Sequence, residues 1–490
     1  MKIGIIGAGL GGLAAAARLA HDGHHIQVFE QNAEPGGKMN IIESDGFRFD
    51  TGPSLLTMPD VLRDVFTYCG AEMDEYLQLQ PVDPICRYFY SDGTQFDCFS
   101  DLPKVLREIE RIAPEDREAY VDFLGYSTRL YKKTAPAFLF NNFQSLQSLL
   151  NLNWGDFLKI NPFKTVSQKV DQYFESPYLR QFFKRFTTYN GSSPFQAPAT
   201  LNVIPYVELC LGGYYVKGGI YNIARSLYQL AVDQGAEFHF SRPVEQIQIS
   251  DSGSRCNGII DESGRSESLD IVISNSDVRH TYTKLVDSRA LPKRVPKKHN
   301  SMEPSCSGFV LLLGIDHQYS QLEHHNVFFS SDYPAEFDTI FRQKMMPEDP
   351  TIYIANTSHS DYSHAPEGGS NLFILVNAPY LSDQVDWKKE TPSWYKKIVD
   401  KLEQRGLTKL SDHIIYKKII TPLDFYDRYR SNRGSIYGTS SNDLFSAFMR
   451  PKNQSPHLEN LFLVGGSSHP GGGIPLVLLS AYHACEFISE

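Results

Sequence analysis

An α/β fold is predicted for this 490-residue chain by three observations. A β-branched run, Lys2–Ile6, leads straight into a series of glycines and an Ala-rich segment. Short apolar or alternating runs recur along the chain, at 244–249, 271–274, 311–314 and 372–376. A second glycine-rich block stands near the end, at 465–473. Together they predict a Rossmann-like domain assembled from distant parts of the chain, a second domain on a mixed sheet, and a helical cap.

The first element is short, β-branched and apolar, as a buried parallel strand is. The turn Gly7-Ala8-Gly9-Leu10-Gly11-Gly12 follows. Gly7 permits the tight turn, Gly9 lets backbone approach a pyrophosphate, and Gly12 lets the next helix pack on the strand. Leu13–Ala20 is a strong helix former that ends at Asp22-Gly23. Its N-terminus offers free N–H groups and partial positive charge to phosphates. A second strand runs from His25 to Glu30, with Gln31 next. There the Glu30 carboxylate can accept hydrogen bonds from a ribose. Lys2 and the apolar run to Ala20 also resemble a secretory signal. The glycine spacing and the direct continuation into a strand assign the segment to the fold instead.

This unit alone does not separate NAD from FAD. The next residues add a second glycine turn, Glu34-Pro35-Gly36-Gly37-Lys38-Met39. An alternating strand, Phe47–Asp50, then leads to Thr51-Gly52-Pro53-Ser54. A series of turns follows an extended cofactor along its length. Lys38 either neutralises a phosphate, sits near a flavin, or is a solvated lysine.

A third block, Gly212-Gly213 to Gly218-Gly219, leads into a helix with apolar Ile223, Leu227, Leu230 and Ala231. Strands follow at 235–240 and Val244–Ile249, and Ile271–Asp277 is a buried strand with a polar end from Asn275. In the last block Leu461–Val464 is an apolar strand, Gly465-Gly466 allow close approach, and Gly471–Gly473 let a loop pack on a flat ring. Ile474 to Glu490 reads as a helix, with Pro475 in its first turn.

These motifs resemble the amine-oxidase-like flavoprotein superfamily. More narrowly, the chain is similar from end to end to the bacterial carotenoid desaturase and oxidase family, which includes the phytoene desaturases. The resemblance implies FAD as cofactor and a domain of the amine-oxidase/phytoene-desaturase type. It places Val244 against the adenine, the Ser274–Asp277 turn with Asn275 near the cofactor, and Gly465, Gly466, Gly473, Ile474 and Pro475 beside the flavin. The FAD domain is expected at 1–75, 212–285 and 435–490, a substrate domain at 76–100 and 286–434, and the helical cap at 101–211.

Composition sets limits. Net charge is −10, from 47 basic and 57 acidic residues, which argues against nucleic acid as a partner. The seven cysteines include no C-x-x-C pair, and the pairs His24-His25 and His324-His325 point apart, so reduced thiols and no metal site are expected. Aromatic residues make up 12%, which suits either a large apolar cavity or an aromatic core. No run of 18 apolar residues occurs, so no spanning helix is expected. Lys132-Lys133 and the Phe- and Leu-rich stretch from Ala137 to Lys164 suit either a membrane-surface anchor or a cap over the core.

The resemblance implies a long apolar carotenoid substrate and hydride transfer to the flavin, with a proton lost from the adjacent carbon. Such a C–H bond lies beside no carbonyl, which leaves a side-chain base little to work on. His469 is the polar side chain expected near the reacting end, either assisting proton removal or making a structural hydrogen bond. Electrons would pass on to a quinone or oxygen, with the protein peripheral on the inner face of the cytoplasmic membrane. Within the family, Gly434–Asn442, Ala447–Pro451 and the Gly465-Gly466-Ser467-Ser468-His469-Pro470 form lean toward 1-hydroxycarotenoid 3,4-desaturases. Phytoene or diapophytoene desaturases and oxidases of diapocarotenoid terminal methyl groups are the alternatives. An amine oxidase and a prenyl-lipid carrier without flavin are more distant ones.

Overall fold

The computed structural model describes residues 1–140, 164–251, 253–442 and 450–489. Most of the anchor-or-cap stretch between 137 and 164, and part of the 447–451 motif, lie outside the described residues.

Five parallel strands form the first sheet, in the order Leu461–Leu463, Ile271–Ser274, Lys2–Ile6, His25–Phe29, Glu237–His239. The first strand lies at the centre because it is apolar on both faces: Ile3 and Ile5 are fully buried. Helix Leu10–His21 packs against helices Asn222–Asp233 and Ile474–Ser489. Its small residues, Ala14 to Ala17, are all fully buried and let these neighbours approach closely. Even Arg18 is buried there, paired with Asp64 at 3.0 Å and lying over the Tyr68 ring at 3.8 Å. A three-stranded antiparallel sheet, Val244–Ile249, Cys256–Asp261 and Ser266–Ser268, stands beside this layer.

The second sheet has seven strands and is mixed. Its interior is set by Ser307–Ile315, nine residues that are all buried and pair antiparallel with Ser370–Ala378. Strands Cys86–Phe89 and Gln95–Cys98 stand at one edge of the same sheet, the former parallel to His325–Phe328. The hairpin Ile41–Ser44/Phe47–Asp50 ties the two sheets together. Phe47 and Phe49 pack on Val310, Leu312 and Phe373. Asp50 is the polar half of that junction. Its carboxylate holds Arg48 at 3.0 and 3.2 Å and accepts the Ile220 and Tyr221 N–H groups at 3.2 and 3.0 Å.

The described part of 101–211 is helical, led by Leu102–Ile112 and Arg117–Phe138. Much of the aromatic content resides here, in a packed cluster that includes Phe123, Phe174, Phe182, Phe183 and Phe186. Each such ring contributes about 1.5–3 kcal/mol by its burial. Asp116 fastens the cluster's ends by accepting the Glu175 and Ser176 N–H groups at 2.9 and 2.7 Å. No helix among the described residues is long and apolar enough to cross a membrane.

Candidate active site

Three glycine segments converge on one side chain. Asn275 follows the strand Ile271–Ser274, and its Nδ2 donates to Gly7 O at 3.2 Å. A Cβ on Gly9 would stand 2.8 Å from that Nδ2, and a Cβ on Gly465 would stand 2.7 Å from the Asn275 Oδ1. The first turn, the polar strand end and the terminal loop therefore interlock with no room for larger residues. Gly7 has φ +96°, which explains the turn chemistry there. The helix that follows starts at Leu10 with no side-chain cap and no acidic residue in its first turn, so its N–H groups are open to an anion.

Beside this cradle runs a cavity of about 310 Å³. Of the residues expected at the cofactor, Gly7, Gly9, Leu10, Glu30, Gln31, Gly37, Lys38, Met39, Gly52, Pro53, Val244, Asn275, Gly465, Gly466, Gly473 and Ile474 line it. Glu30 is buried, with Oε2 accepting from Ala8 N at 2.7 Å and Oε1 from Asn32 N at 2.9 Å. These contacts fix the carboxylate at the strand end. Lys38 is not a solvated lysine. Its Nζ donates to Ser435 O at 3.2 Å and Ile436 O at 2.7 Å. Burial lowers its pKa to about 8, against the opposing pull of Asp277. The cavity is elongated past several glycine turns, has an uncapped helix N-terminus at one wall, and offers a cation and an acid. It fits a dinucleotide.

Five expected residues do not line this cavity. Ser274 is fully buried behind it, its hydroxyl bonded to Thr281 Oγ1 at 2.8 Å. Ser54 is turned to the Tyr353 hydroxyl, which also bonds His325 Nδ1 at 2.7 Å. Gly11 and Gly12 support the wall from behind, where an added Cβ would meet Gly465 N at 2.9 Å and Gly7 O at 2.2 Å. Pro475 faces a second cavity instead. Asp277, at the end of the turn expected near the cofactor, lines the first cavity too, and His280, Phe373, Phe425, Tyr429 and Arg430 line it without having been expected. Burial, joined by the charges of Arg430, Lys284 and Arg279, holds His280 down at about 4.

The second cavity, of about 190 Å³, lies between the terminal loop and the cap helices. Gly472 and Gly473 line both cavities. The second is mostly apolar, with Met58, Phe138, Leu201, Val203, Ile204 and Leu476 in its wall. His469 faces this one and not the first. Its backbone is held by Pro451 O and Asn453 Nδ2 at 2.8 and 2.9 Å, and its ring lies 5.5 Å from that of His483.

The pattern of the family described as "Flavin containing amine oxidoreductase" matches residues 10–489. A 4,4'-diapolycopene oxygenase from Methylomonas sp is 39% identical over 484 residues, 98% of this chain and 96% of that protein. A 4,4'-diaponeurosporene oxygenase from Staphylococcus aureus is 36% identical over 487 residues, 99% of this chain and 97% of that one. Among solved structures, an oxidoreductase from Methanosarcina mazei superposes with a TM-score of 0.68 at 19% identity, each chain covered fully (100%). The two cavities meeting at a glycine loop thus belong to an FAD-dependent oxidoreductase, and the chain is a member of the flavin-containing amine oxidoreductase family.

Proposed function

We propose that this protein oxidises a terminal methyl group of an acyclic diapocarotenoid. The motifs alone put this reading behind 3,4-desaturation. What carries it is the likeness over nearly the whole chain to two diapocarotenoid oxygenases, at 39% and 36% identity.

In this reading the first cavity holds FAD. Leu10 and its helix N-terminus meet the pyrophosphate, Glu30 the ribose and Val244 the adenine. Gly37, Lys38, Met39, Gly52, Pro53, Asn275, Gly465, Gly466, Gly473 and Ile474 follow the rest of the cofactor. Bound FAD supplies a hydride acceptor. The chain's own part is to hold a polyene end in the second cavity against Gly472 and Gly473, and to keep bulk water out with its apolar wall while admitting the water molecule that reacts. A terminal methyl on a polyene is allylic, so charge left by hydride loss spreads over the conjugated chain, and a water molecule that adds at the terminal carbon and gives up a proton supplies the oxygen. No strong base is needed. A role for His469 in proton removal is proposed on its position in that wall. A substrate this apolar dissolves in lipid, so the protein would meet it at the cytoplasmic face of the membrane and pass electrons to a quinone or oxygen.

The test is expression in cells accumulating diaponeurosporene or, separately, 1-hydroxylated acyclic carotenoids, with products identified by mass. Gain of oxygen on the former supports the proposal. Loss of two hydrogens only from the hydroxylated substrate would replace it with 3,4-desaturation, as the resemblance first suggested. No change in either host, with FAD bound, would refute both.

A further inference from the structure

Arg450 stands apart from the rest of the second cavity's wall. It is 8% exposed, and it is the one Lys, Arg, Asp or Glu among the described residues that line this space. Its Nη2 donates to Ser441 Oγ at 3.2 Å and its Nη1 to Gly466 O at 3.5 Å, the second a weak contact. The described residues give it no carboxylate. Burial alone acts on its pKa, lowering it to about 10, so it remains a cation at neutral pH. A charge taken out of water is costly, and a structural role would be met more cheaply by an apolar residue of similar length.

Its place is also specific. Gly466, which accepts from Arg450, lines the first cavity. A Cβ on Gly471 would stand 2.9 Å from Arg450 Nε, and the next two residues, Gly472 and Gly473, are shared by the two cavities. The guanidinium therefore sits at the join, where an apolar chain lying in the second cavity would present its end toward the first. A planar fork of donors in such a place matches a carboxylate or carbonyl oxygen.

We propose that Arg450 binds the carboxylate of an oxidised polyene end, so that a chain end bearing this anion is held more tightly than a neutral one. This rests on the reading of the second cavity as a polyene site. Its consequence is order. The oxidation steps work on weakly held neutral ends, and an end that has become a carboxylate is the one the guanidinium retains.

The test uses FAD-loaded protein and two acyclic polyene probes of one length, crocetin (a dicarboxylate) and its dimethyl ester, with binding followed by polyene absorbance. Wild type is expected to bind crocetin at least about tenfold more tightly than the ester, the scale of one charge-assisted contact. R450M should lose that preference and keep the ester affinity, whereas R450K should retain part of it. Equal binding of the two probes by wild type overturns the proposal, and so does an R450M protein that still prefers crocetin. If R450M does not fold, the wild-type comparison and R450K decide. Neither probe is turned over, so failure of methyl oxidation in cells and failure of this site are read separately.

Discussion

Substituting Gly12 by alanine isolates the close contact on which the nucleotide turn depends. Alanine is the better helix former by about 1 kcal/mol, so propensity alone predicts that G12A stabilises helix Leu10–His21. The structure predicts the opposite. The new Cβ would stand 2.2 Å from Gly7 O, roughly 1 Å inside contact distance. The obstacle is the backbone of the turn itself, which has no rotamer to yield. Overpacking of this kind costs about 1–3 kcal/mol, and a rigid obstacle belongs at the upper end. After the propensity gain, a net loss of about 2 kcal/mol remains. The control is Gly125, inside helix Arg117–Phe138, where a Cβ would meet only the flexible end of Arg129 at 3.4 Å. Neither glycine has a positive φ, so backbone strain enters neither result. G125A should gain about 0.5–1 kcal/mol. Denaturant unfolding of both variants, with the flavin-to-protein absorbance ratio, measures the contrast. A G12A protein as stable as wild type with full flavin, or two variants that shift in the same direction, would refute the steric argument.

Two further outcomes follow from buried charge. D50A should destabilise by about 3–5 kcal/mol in denaturant unfolding, because it strands the half-buried Arg48 and two backbone N–H groups at the junction of the sheets. His280 is held at about 4 in the folded protein, below the usual 6.5. The unfolded chain therefore takes up a proton that the folded one refuses as pH falls from about 6.5 to about 4, and stability is lost over that window. The stability advantage of wild type over H280N should shrink across it in unfolding curves taken at pH 7 and pH 4.5, and an unchanged difference would count against the burial of the ring.

The parts of the site that were legible in the sequence are those with local codes. Lys2–Ile6, Phe47–Asp50 and Val244–Ile249 fold as strands, because apolar or alternating runs between turn residues admit little else, and the strand read over Ile271–Asp277 stops at Ser274, before its polar end. The glycine turns were legible because their chemistry is local. What escaped was partnership at a distance. Ser54 and Ser274 are in the right segments, yet their hydroxyls are taken by Tyr353 and Thr281, which nothing nearby in sequence announces. Phe425, Tyr429 and Arg430 reach the first cavity from helix Pro422–Tyr429 and the left-handed residue after it. That wall carries no motif. Lys38 stayed open between phosphate, flavin and solvent because its acceptors, two carbonyls near residue 435, lie across the fold.

The parallel arrangement of Leu461–Leu463 on Ile271–Ser274 bears on how the protein is made. The ribosome emits the first turn long before the loop that completes its cradle. Until then the nascent chain carries an exposed edge on Ile271–Ser274 and an Asn275 without its Gly465 neighbour. In the proposed reading, cofactor capture waits until this distant segment has been made, and the strand and loop after it act as a clasp on the first turn.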